Sequence, residues 1–440
     1  MKQKDPRTHR REAKARGTKP AATAAAPMRV AIIGFGTVGS SVAQLISAQR
    51  KNGVRITHVF NRGVARKRVA WMGRDVIWTE RFEDLLSPEV DVVIELVGNV
   101  ELAHRWISRA LIAGKHVITA NKQLIARHGG ELVALAQQHG CRIAYGAAVG
   151  GVVPVIPAIL EGLAAESFHR ISGILNGTCN YVLSRMERAR IAMPEAIAEA
   201  QVRGYTESDP TSDLDGEDAA AKLVILAAIA MQRLITPEQV RRQSIRTIDP
   251  VDFDYARMIG CTIRQISYAE LNRKHLIAAV QPALVALDSP FAVAHGSDNL
   301  IAVYGKHSGR LLFAGAGAGG DPTAVAVLSD LLAIRRGHSP AAHSAMATTE
   351  VRGDLGARHY LRFVVKDSPG IVAGIAAVLA RYRINIDALM QSSGHPADRL
   401  PFVITTEKSP ADKVADAVRE IAKARYHVQP PLNLPVLDSL

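Results

Sequence analysis

An unusual concentration of acidic residues lies between Gly204 and Leu223, in the stretch GYTESDPTSDLDGEDAAAKL. Its carboxylates are Glu207, Asp209, Asp213, Asp215, Glu217 and Asp218, and its one cation is Lys222. The four-residue spacing of Asp218 and Lys222 places both on one face of a helix that opens at Glu217 or Asp218. The apolar run LVILAAIAM follows, so that helix must be buried and the lysine lies near the core. A buried lysine beside a carboxylate can acquire a pKa suited to proton transfer.

The same pair also has a simpler interpretation. A lysine and an aspartate four residues apart form an ordinary surface salt bridge, and residue type and spacing alone favour that alternative. The other acids could equally belong to a solvated turn. Without further information the stretch indicates a candidate acid–base pair and no more.

A glycine-rich turn near the start of the chain predicts a dinucleotide site. The apolar run 29–33 predicts a strand, and a helical period follows through Val42 and Leu45. The glycines between them allow a tight turn and a close approach to a pyrophosphate, while the helix N-terminus offers free N–H groups. The predicted cofactor contacts here are Gly34, Phe35, Gly36, Thr37, Val38 and Gly39.

The end of the next predicted strand, VRITHVFN, favours NADP(H) over NAD(H). An NAD site usually carries an acidic residue there for the ribose diol, but this chain has Asn61 and Arg62. Arg66, Lys67 and Arg68 follow closely. The missing acid and the nearby cations suit a 2′-phosphate, although NAD(H) could still bind. The alternative is a solvated basic turn.

Strands and helices alternate through the first third of the chain. VDVVIELVG, KHVITANK and CRIAYGAA predict strands, and helices are expected around Leu102 to Ala113 and from Gly130 to Gln138. Repeated βα units predict a Rossmann doubly wound parallel sheet. Asn121 and Lys122 fall at the carboxyl end of a strand, where such sheets bind ligands.

Composition restricts the class of protein further. The chain has 440 residues, of which 48% are hydrophobic, and a net charge of +13, as fits a globular protein of two or three domains. Residues 1–26 carry +6 of that charge and almost no large apolar residues, so a disordered tail is expected. This tail lacks the apolar centre of a secretion signal; an organellar transit peptide, or translation starting at Met28, are alternatives. Nucleic-acid binding is not favoured, since no motif or aromatic residues accompany the charge.

Cysteine usage and apolar runs bear on location. Cys141, Cys179 and Cys261 show neither a disulfide framework nor zinc spacing, which indicates a reducing cytoplasm. The uncharged run from Ile143 to Leu160 contains several glycines and prolines, so no membrane span is expected.

Six stretches together resemble the homoserine dehydrogenase family. They are GFGTVGSSV, ELVGNVE, GKHVITANKQLIA, ISGILNGTCNYVLSRM, GYTESDPTSDLDGEDAAAKLVILA and GAGAGGDPTAVAVLSDL, in the family's order over residues 28–340. The resemblance implies reversible NAD(P)H-dependent reduction of L-aspartate 4-semialdehyde to L-homoserine, on the route to threonine and methionine.

The resemblance also assigns roles to residues. Glu207 and Asp218 match the substrate-holding acids, Lys222 matches the acid–base lysine, and Lys122 matches a lysine that serves cofactor and substrate. Asp213 is a lesser candidate for substrate contact; with Asp209 and Asp215 it more simply shapes the loop. Val97, Gly98 and Gly317 match further cofactor positions.

One departure from the family concerns a monovalent cation. The family usually reads Tyr-Glu-Ala after the last Rossmann strand and that Glu helps bind sodium, but this chain has Gly146 at the position of the Glu. The remaining family ligands are backbone carbonyls that match Val149, Gly151 and Val153. Sodium binding is therefore expected to be weaker or lost, and the run could be only an interdomain hinge.

The C-terminal part predicts a regulatory domain. The order βαββαβ indicates a ferredoxin-like unit, which resembles an ACT domain with ligand-loop residues Asp367, Gly370, Ile371 and Asn385. Threonine feedback is the expected role, and dimer contacts alone are the alternative. The predicted organisation is a tail 1–27, a Rossmann domain 28–147, an α+β catalytic and dimerisation domain 148–335 whose residues 311–335 return to the cofactor, a linker 336–358 and the ACT domain 359–434.

Other functions remain open at this point. A catalytically silent nucleotide- and amino-acid-binding regulator is the main alternative, and intact Lys222, Asp218 and Glu207 argue against it. A semialdehyde dehydrogenase of another type would need a thiol nucleophile, for which only Cys179 is placed. A homodimer or homotetramer is expected.

Overall fold

The computed structural model describes residues 26–49, 53–272, 275–337, 347–352 and 356–438. Most of the predicted tail and part of the predicted linker therefore lie outside the described residues. Among the described helices, none combines the length and the apolar character that crossing a bilayer requires.

The N-terminal domain is built on six parallel strands. They are β1 (Met28–Ile33), β2 (Val54–Phe60), β3 (Ile77–Thr79), β4 (Val92–Glu95), β5 (His116–Thr119) and β6 (Ile143–Ala144). Their order is β3-β2-β1-β4-β5-β6, and every pairing is parallel. The doubly wound sheet is therefore confirmed. The order reverses between β1 and β4, which is where such sheets bind dinucleotides.

Three helices cover this sheet: α1 (Thr37–Ala48), α2 (Val100–Ile112) and α3 (Lys122–Gln138). The expectation that α3 starts at Gly130 is wrong. Asn121 caps α3 by accepting the N–H of Leu124, and the helix then runs through His128-Gly129-Gly130 without a break. Buried Leu124, Ile125 and Leu132 hold it on the core, so packing overrides the weak propensity of glycine.

The second region combines strands and helices around one large sheet. Its strands are β7 (Phe168–Ile174), β8 (Arg233–Leu234), β9 (Arg241–Arg242), β10 (Cys261–Asn272), β11 (His275–Ala286), β12 (Asp298–Gly305), β13 (Gly309–Ala316), β14 (Ala347–Thr348) and β15 (Glu350–Arg352). Its helices are α4 (Val155–Pro157), α5 (Gly177–Ala189), α6 (Met193–Val202), α7 (Thr211–Leu214), α8 (Glu217–Met231), α9 (Pro250–Met258), α10 (Pro290–Val293) and α11 (Gly320–Arg335). β14 and β15 fall within the predicted linker and pair with β8 and β11.

Two helices of this region bring it against the cofactor domain. α8 lies between strands β7 and β10 and helix α3, and only Glu217 and Ala228 in it are not buried. α11 packs on α1, with Val327 and Leu331 fully buried in the Rossmann core. The acid-rich loop that precedes α8 is thereby placed near the carboxyl ends of β4 and β5.

The C-terminal region has the predicted βαββαβ order. Its elements are β16 (Arg358–Val365), α12 (Ile371–Arg381), β17 (Ile386–Met390), β18 (Leu400–Thr406), α13 (Ala411–Ile421) and β19 (His427–Leu437). The strand order β19-β16-β18-β17 is that of a ferredoxin-like fold. β19 also pairs with β11 through Leu284 and Val285, so the two regions share one eleven-stranded sheet.

Candidate active site

The centre of the site is a buried ion pair on α8. Lys222 Nζ lies 2.8 Å from Asp218 Oδ2, and both residues are less than 9% exposed. The interpretation as a surface salt bridge is therefore wrong. Three alanines between them and the apolar remainder of α8 leave no solvent-facing side at this turn. Burial of an ion pair has a large desolvation cost, which the contacts of both partners must offset.

A second lysine reaches the same carboxylate from the other domain. Lys122 Nζ lies 2.9 Å from Asp218 Oδ1, so each oxygen of Asp218 faces one ammonium group. Burial opposes ionisation of Asp218, but the charges of Lys222 and then Lys122 outweigh it and hold its pKa well below the usual range. The charge of Asp218 in turn raises the pKa of Lys122. The cluster therefore holds one carboxylate and a cationic Lys122 across the physiological range.

Asn176 organises the surroundings of Asp218. It is the N-cap of α5, and its Oδ1 accepts the N–H of Cys179 at 2.8 Å. Its Nδ2 donates to Asp213 Oδ1 at 2.7 Å and to Asp218 Oδ2 at 3.0 Å. The one signal in the sequence was the helix-cap preference of Asn before an apolar helix.

The remaining acids of the loop divide between structural contacts and solvent. Asp213 also accepts from the Thr206 hydroxyl, Asp215 accepts from Ser244, and Asp209 accepts the N–H of Thr211. These contacts shape the loop. Glu207 is exposed, and its charge contributes to the raised pKa of Lys122. Glu207 is therefore an exposed residue within electrostatic reach of Lys122.

Cys179 has no features of a nucleophile. It is fully buried, its thiol donates to the carbonyl of Asp213 at 3.2 Å, and burial holds its pKa well above the usual value. A thiolate is required for acyl chemistry, so the alternative semialdehyde dehydrogenase has no nucleophile here.

The glycine turn has the geometry that close approach requires. A Cβ at Gly39 would lie 2.1 Å from the carbonyl oxygen of Gly34, and one at Gly34, where φ is +92°, would lie 2.9 Å from Val97. Gly36 has nothing within 4 Å of its Cβ position and precedes α1 without a side-chain cap. Thr37, Val38 and Phe35 flank it, and exposed Gly98 follows Val97 on the facing loop. Two glycines thus serve packing and the middle one leaves room for a ligand.

Asn61 ties the glycine turn to the end of β2. Its Oδ1 accepts the N–H of Phe35 at 3.2 Å, and its Nδ2 donates to the carbonyl of Arg62 at 2.7 Å. Arg62, Arg66, Lys67 and Arg68 are all exposed beside it. Residues 61–68 offer no carboxylate to a ribose diol and carry four cations. The carboxylate of Glu80, which follows β3, accepts the N–H of Val64 at 3.1 Å.

A buried carboxyl group lies next to the site and was not among the predicted site residues. Glu95, which ends β4, is 0% exposed; its Oε1 accepts the N–H of Val97 at 2.5 Å and its Oε2 bonds Thr119 at 2.6 Å. Asn121 Nδ2 donates to the carbonyl of Val97 at 3.0 Å and closes the ring of contacts. Burial raises the pKa of Glu95 to about 7. Glu95 thereby joins the loop that faces the glycine turn to the start of α3, where Lys122 stands.

Gly317 follows β13 and packs against Asn299, a residue that shares a hydrogen-bond acceptor with Lys222. Its Cβ position lies 2.2 Å from Asn299 Oδ1, so any larger residue would require the buried amide of Asn299 to move. Asn299 Nδ2 donates to the carbonyl oxygen of Leu175, which also accepts from Lys222 Nζ at 2.7 Å.

Comparison with known proteins decides the family. Models of the families described as "Homoserine dehydrogenase, NAD binding domain", "Homoserine dehydrogenase" and "ACT domain" match residues 34–146, 154–332 and 359–423. The homoserine dehydrogenase of Pseudomonas aeruginosa is 35% identical over 413 residues, covering 89% of this chain and 94% of the relative. That of Bacillus subtilis is 33% identical over 401 residues, covering 88% and 93%. The chain belongs to the homoserine dehydrogenase family.

Solved structures agree with this assignment. The crystal structure of a homoserine dehydrogenase from Thiobacillus denitrificans has a TM-score of 0.86 and 31% identity, covering 94% of this chain and 98% of that one. A Staphylococcus aureus homoserine dehydrogenase at pH 7.5 has a TM-score of 0.75 and 28% identity, with coverages of 94% and 99%. The family expected from the motifs is confirmed, and the chain is an oxidoreductase with an NAD-binding domain and a C-terminal ACT domain.

Gly146 stands where the family usually has a glutamate, and a carboxyl group from α11 lies beside it. The N–H of Gly146 donates to Asp330 Oδ2 of α11 at 2.8 Å, and a Cβ at Gly146 would lie 2.7 Å from Asp330 Oδ1. A glutamate would not fit unless Asp330 moved, so α11 places a carboxylate at this point. Burial raises the pKa of Asp330 to about 7. The expected carbonyl ligands of Val149, Gly151 and Val153 follow in the chain, and that of Val153 accepts the N–H of Val155 at 2.8 Å. Carbonyl and carboxylate oxygens are the ligands that hard cations prefer.

The ACT region has a cavity at its predicted ligand loop. Asp367, Gly370 and Ile371 line it together with Gln391 and Phe402. Gly370 caps α12 with φ +94°. Asn385 does not line this cavity; its Nδ2 donates to Glu407 at 2.9 Å. The structure thus brings together three of the four predicted effector residues within the described chain.

Proposed function

We propose that this homoserine dehydrogenase family member interconverts L-homoserine and L-aspartate 4-semialdehyde with NADP(H), on the route to threonine and methionine. The observation that carries the proposal is the buried Lys222–Asp218 pair, which half-buried Lys122 joins from the cofactor domain. The cofactor, when bound, supplies or accepts the hydride. A catalytically silent regulator would not require these buried charges, whose desolvation costs folding free energy.

Lys222 is the proposed acid–base group. Two of its three N–H groups are directed to Asp218 at 2.8 Å and to the carbonyl of Leu175 at 2.7 Å. A protonated lysine has three donors and no acceptor, so the third N–H is left for the substrate oxygen. In reduction it gives a proton to the developing alkoxide, and in oxidation the neutral amine takes the hydroxyl proton.

Asp218 is the proposed positioning carboxylate, shared by the two lysines. It keeps Lys222 aimed by the 2.8 Å contact and holds Lys122 at 2.9 Å. Lys122 then provides positive charge beside the substrate and cofactor. Glu207, and in a lesser role Asp213, would hold the substrate's ammonium group. Exposed Glu207 is free to turn toward it, whereas Asp213 is already held by Asn176 and Thr206.

The direct test is NADP reduction on addition of L-homoserine, followed at the absorbance of NADPH. 4-Hydroxybutyrate, which lacks the ammonium group, is the matched substrate. We expect turnover of L-homoserine and a much weaker response to 4-hydroxybutyrate, with the difference reduced in Glu207→Gln. No turnover by folded protein that binds NADPH would overturn the proposal.

We propose NADP(H) as the preferred cofactor and NAD(H) as a weaker substitute. Exposed Arg62 and its neighbouring cations are available to a 2′-phosphate, and Asn61 offers no charge to a ribose diol. Gly36 and Gly98, with nothing within 4 Å of either Cβ position, would leave space for the pyrophosphate, and Gly34 and Gly39 allow the tight turn.

We also propose a sodium ion at the turn that follows β6. The carbonyls of Val149, Gly151 and Val153 would hold it together with Asp330, whose pKa of about 7 makes sodium binding favour pH values above neutral, where this carboxyl group is ionised. Bound there, the ion would fix the turn between the cofactor and catalytic domains.

We propose that threonine inhibits the enzyme by binding to the ACT region, because this region forms hydrogen bonds with α9. The Tyr255 hydroxyl donates to the carbonyl of Pro401 at 2.9 Å and accepts the N–H of Ser392 at 3.1 Å, both in the ACT region. Asp252, one turn earlier, accepts from the Tyr360 hydroxyl at 2.8 Å and pairs with Arg362 at 3.3 Å.

These contacts continue toward the acid-rich loop. Arg362 donates to the carbonyl of Thr247, and Ser244, three residues earlier, donates to Asp215 at 2.6 Å. Threonine in the cavity at Asp367 would therefore act through packed, hydrogen-bonded groups on the loop that precedes Asp218. Calorimetric titration with threonine tests this proposal. If threonine does not bind at millimolar concentration, feedback is excluded and dimer contacts are the remaining role of the domain.

We also propose a homodimer or homotetramer located in the cytoplasm. Strands β13 and β17 are sheet edges with exposed Leu312, Ile386 and Leu389, as suits a homodimer or homotetramer. The three thiols are buried and free, in agreement with a reducing cytoplasm.

A further inference from the structure

Away from the active site, three metal-ligating side chains converge on the cofactor domain. His104 lies on α2, and His128 and Glu131 lie on α3. Their ligand atoms all lie within 4.8 Å of one another, which no other trio of His, Cys, Asp or Glu does in the described part of the chain. All three side chains are at least 30% exposed, so an ion could reach them from solvent.

The distances match those of ligands around one ion. Glu131 Oε1 lies 3.1 Å from His104 Nε2, and Glu131 Oε2 lies 3.4 Å from His128 Nδ1. Ligands bound at about 2.0–2.2 Å in a tetrahedron lie about 3.4 Å from each other. Both contacts are hydrogen bonds to Glu131. Because the three ligand atoms lie within 4.8 Å of one another, side-chain rotation alone can bring them onto one ion.

Rigid elements hold the three ligands. His128 and Glu131 are three apart on one face of α3, which packs against α2. The imidazole of His104 stands 4.5 Å from that of His128, centroid to centroid. Two imidazoles and one carboxylate form a donor set that zinc takes with an open fourth position.

We propose that His104, His128 and Glu131 bind one Zn²⁺ that ties α2 to α3, with water at the remaining position. The nitrogens that face Glu131 must offer lone pairs to the ion, so each neutral ring carries its proton on its other nitrogen. No proton is released when both imidazoles are neutral, and protonation of either one weakens binding. Because the ion binds only the folded arrangement, it stabilises the cofactor domain.

Cobalt is the probe that distinguishes a built site from scattered surface histidines. Titration of the full-length protein with Co²⁺ should give the strong visible bands of tetrahedral coordination, at one ion per chain and without a thiolate charge-transfer band. His104→Ala and His128→Ala should each weaken binding by about tenfold or more, because even outer contacts of metal ligands cost that much. His139→Ala, an exposed histidine just after α3, is the matched control and should titrate like the wild type.

Thermal unfolding gives a second readout. All three tryptophans, Trp71, Trp78 and Trp106, lie in the cofactor domain, so their fluorescence reports its unfolding. Zn²⁺ should raise the midpoint in the wild type and in His139→Ala but not in His104→Ala, with NADPH binding retained in each. Octahedral bands only, or identical titrations of His104→Ala and wild type, would mean an adventitious ion only and would overturn the proposal.

Discussion

Replacing Glu95 by glutamine should remove a pH-dependent cost of folding. Burial raises the pKa of Glu95 from 4.5 to about 7. As the pH rises above 4.5 the unfolded chain releases this proton, while the folded chain keeps it until about pH 7. The wild type therefore loses stability across that window. At 1.36 kcal/mol for each pKa unit the loss reaches about 3 kcal/mol.

Glutamine is a close mimic of the protonated acid. Its oxygen can still accept the N–H of Val97, and its amide can donate to Thr119, the two partners of Glu95. We therefore expect the Glu95→Gln protein to match the wild type near pH 4.5 and to be more stable by up to about 3 kcal/mol at pH 8.

Urea unfolding followed by tryptophan fluorescence measures this difference, because every tryptophan lies in the same domain as Glu95. Exposed Glu89→Gln is the matched control and should show little pH-dependent difference from the wild type. A difference between Glu95→Gln and wild type that stays constant from pH 5 to 8 would refute the reasoning, as would one that shrinks with rising pH.

Three further predictions follow from single contacts. Asp218→Asn leaves buried Lys222 without its counter-charge, so we expect a loss of about 3–5 kcal/mol in unfolding free energy and a large fall in kcat, with NADPH binding retained. Asn61→Asp keeps the acceptor for Phe35 but adds charge where a 2′-phosphate would lie, so kcat/KM with NADP should fall several-fold relative to NAD; an unchanged ratio would remove Asn61 from cofactor selection. Tyr255→Phe loses both hydrogen bonds to the ACT region, so threonine should bind in calorimetry with weaker inhibition of initial rates, and full inhibition would exclude this route.

Features with local causes were predictable from the sequence. The glycine turn, the alternation of strands and helices, and the start of α8 at Glu217 all follow from periodicity and cap chemistry within a few residues. The βαββαβ order of the C-terminal region was predictable for the same reason.

Features that depend on distant parts of the chain were not predictable. Asn176 reaches Asp213 and Asp218, 37 and 42 residues away, and the pattern around it indicates only a turn or a cap. The position of Lys122 at the ligand-binding edge of the sheet was predictable from the strand before it. Its contact with Asp218 was not, because that contact crosses two domains. Glu95 ends an apolar strand, and its burial follows from the loop and helix that close over it.

The burial of Lys222 and Asp218 and the pairing of β19 with β11 both depend on contacts between segments that are distant in sequence. Spacing places Lys222 and Asp218 on one helical face, but solvent is excluded by β7, β10 and α3, none of which is adjacent in sequence. The pairing of β19 with β11 likewise joins segments about 150 residues apart through four residues, too few to leave a pattern.

The most direct test of the account is the initial rate of L-homoserine oxidation by Lys222→Ala, beside wild type and Lys306→Ala, an exposed lysine outside the site. General acid–base catalysis contributes about 10²–10⁴-fold. We predict a loss of that size in kcat for Lys222→Ala, with NADPH binding and the unfolding profile of the cofactor domain retained, and no loss for Lys306→Ala. Near-normal turnover by Lys222→Ala would contradict the assignment of Lys222 as the acid–base group.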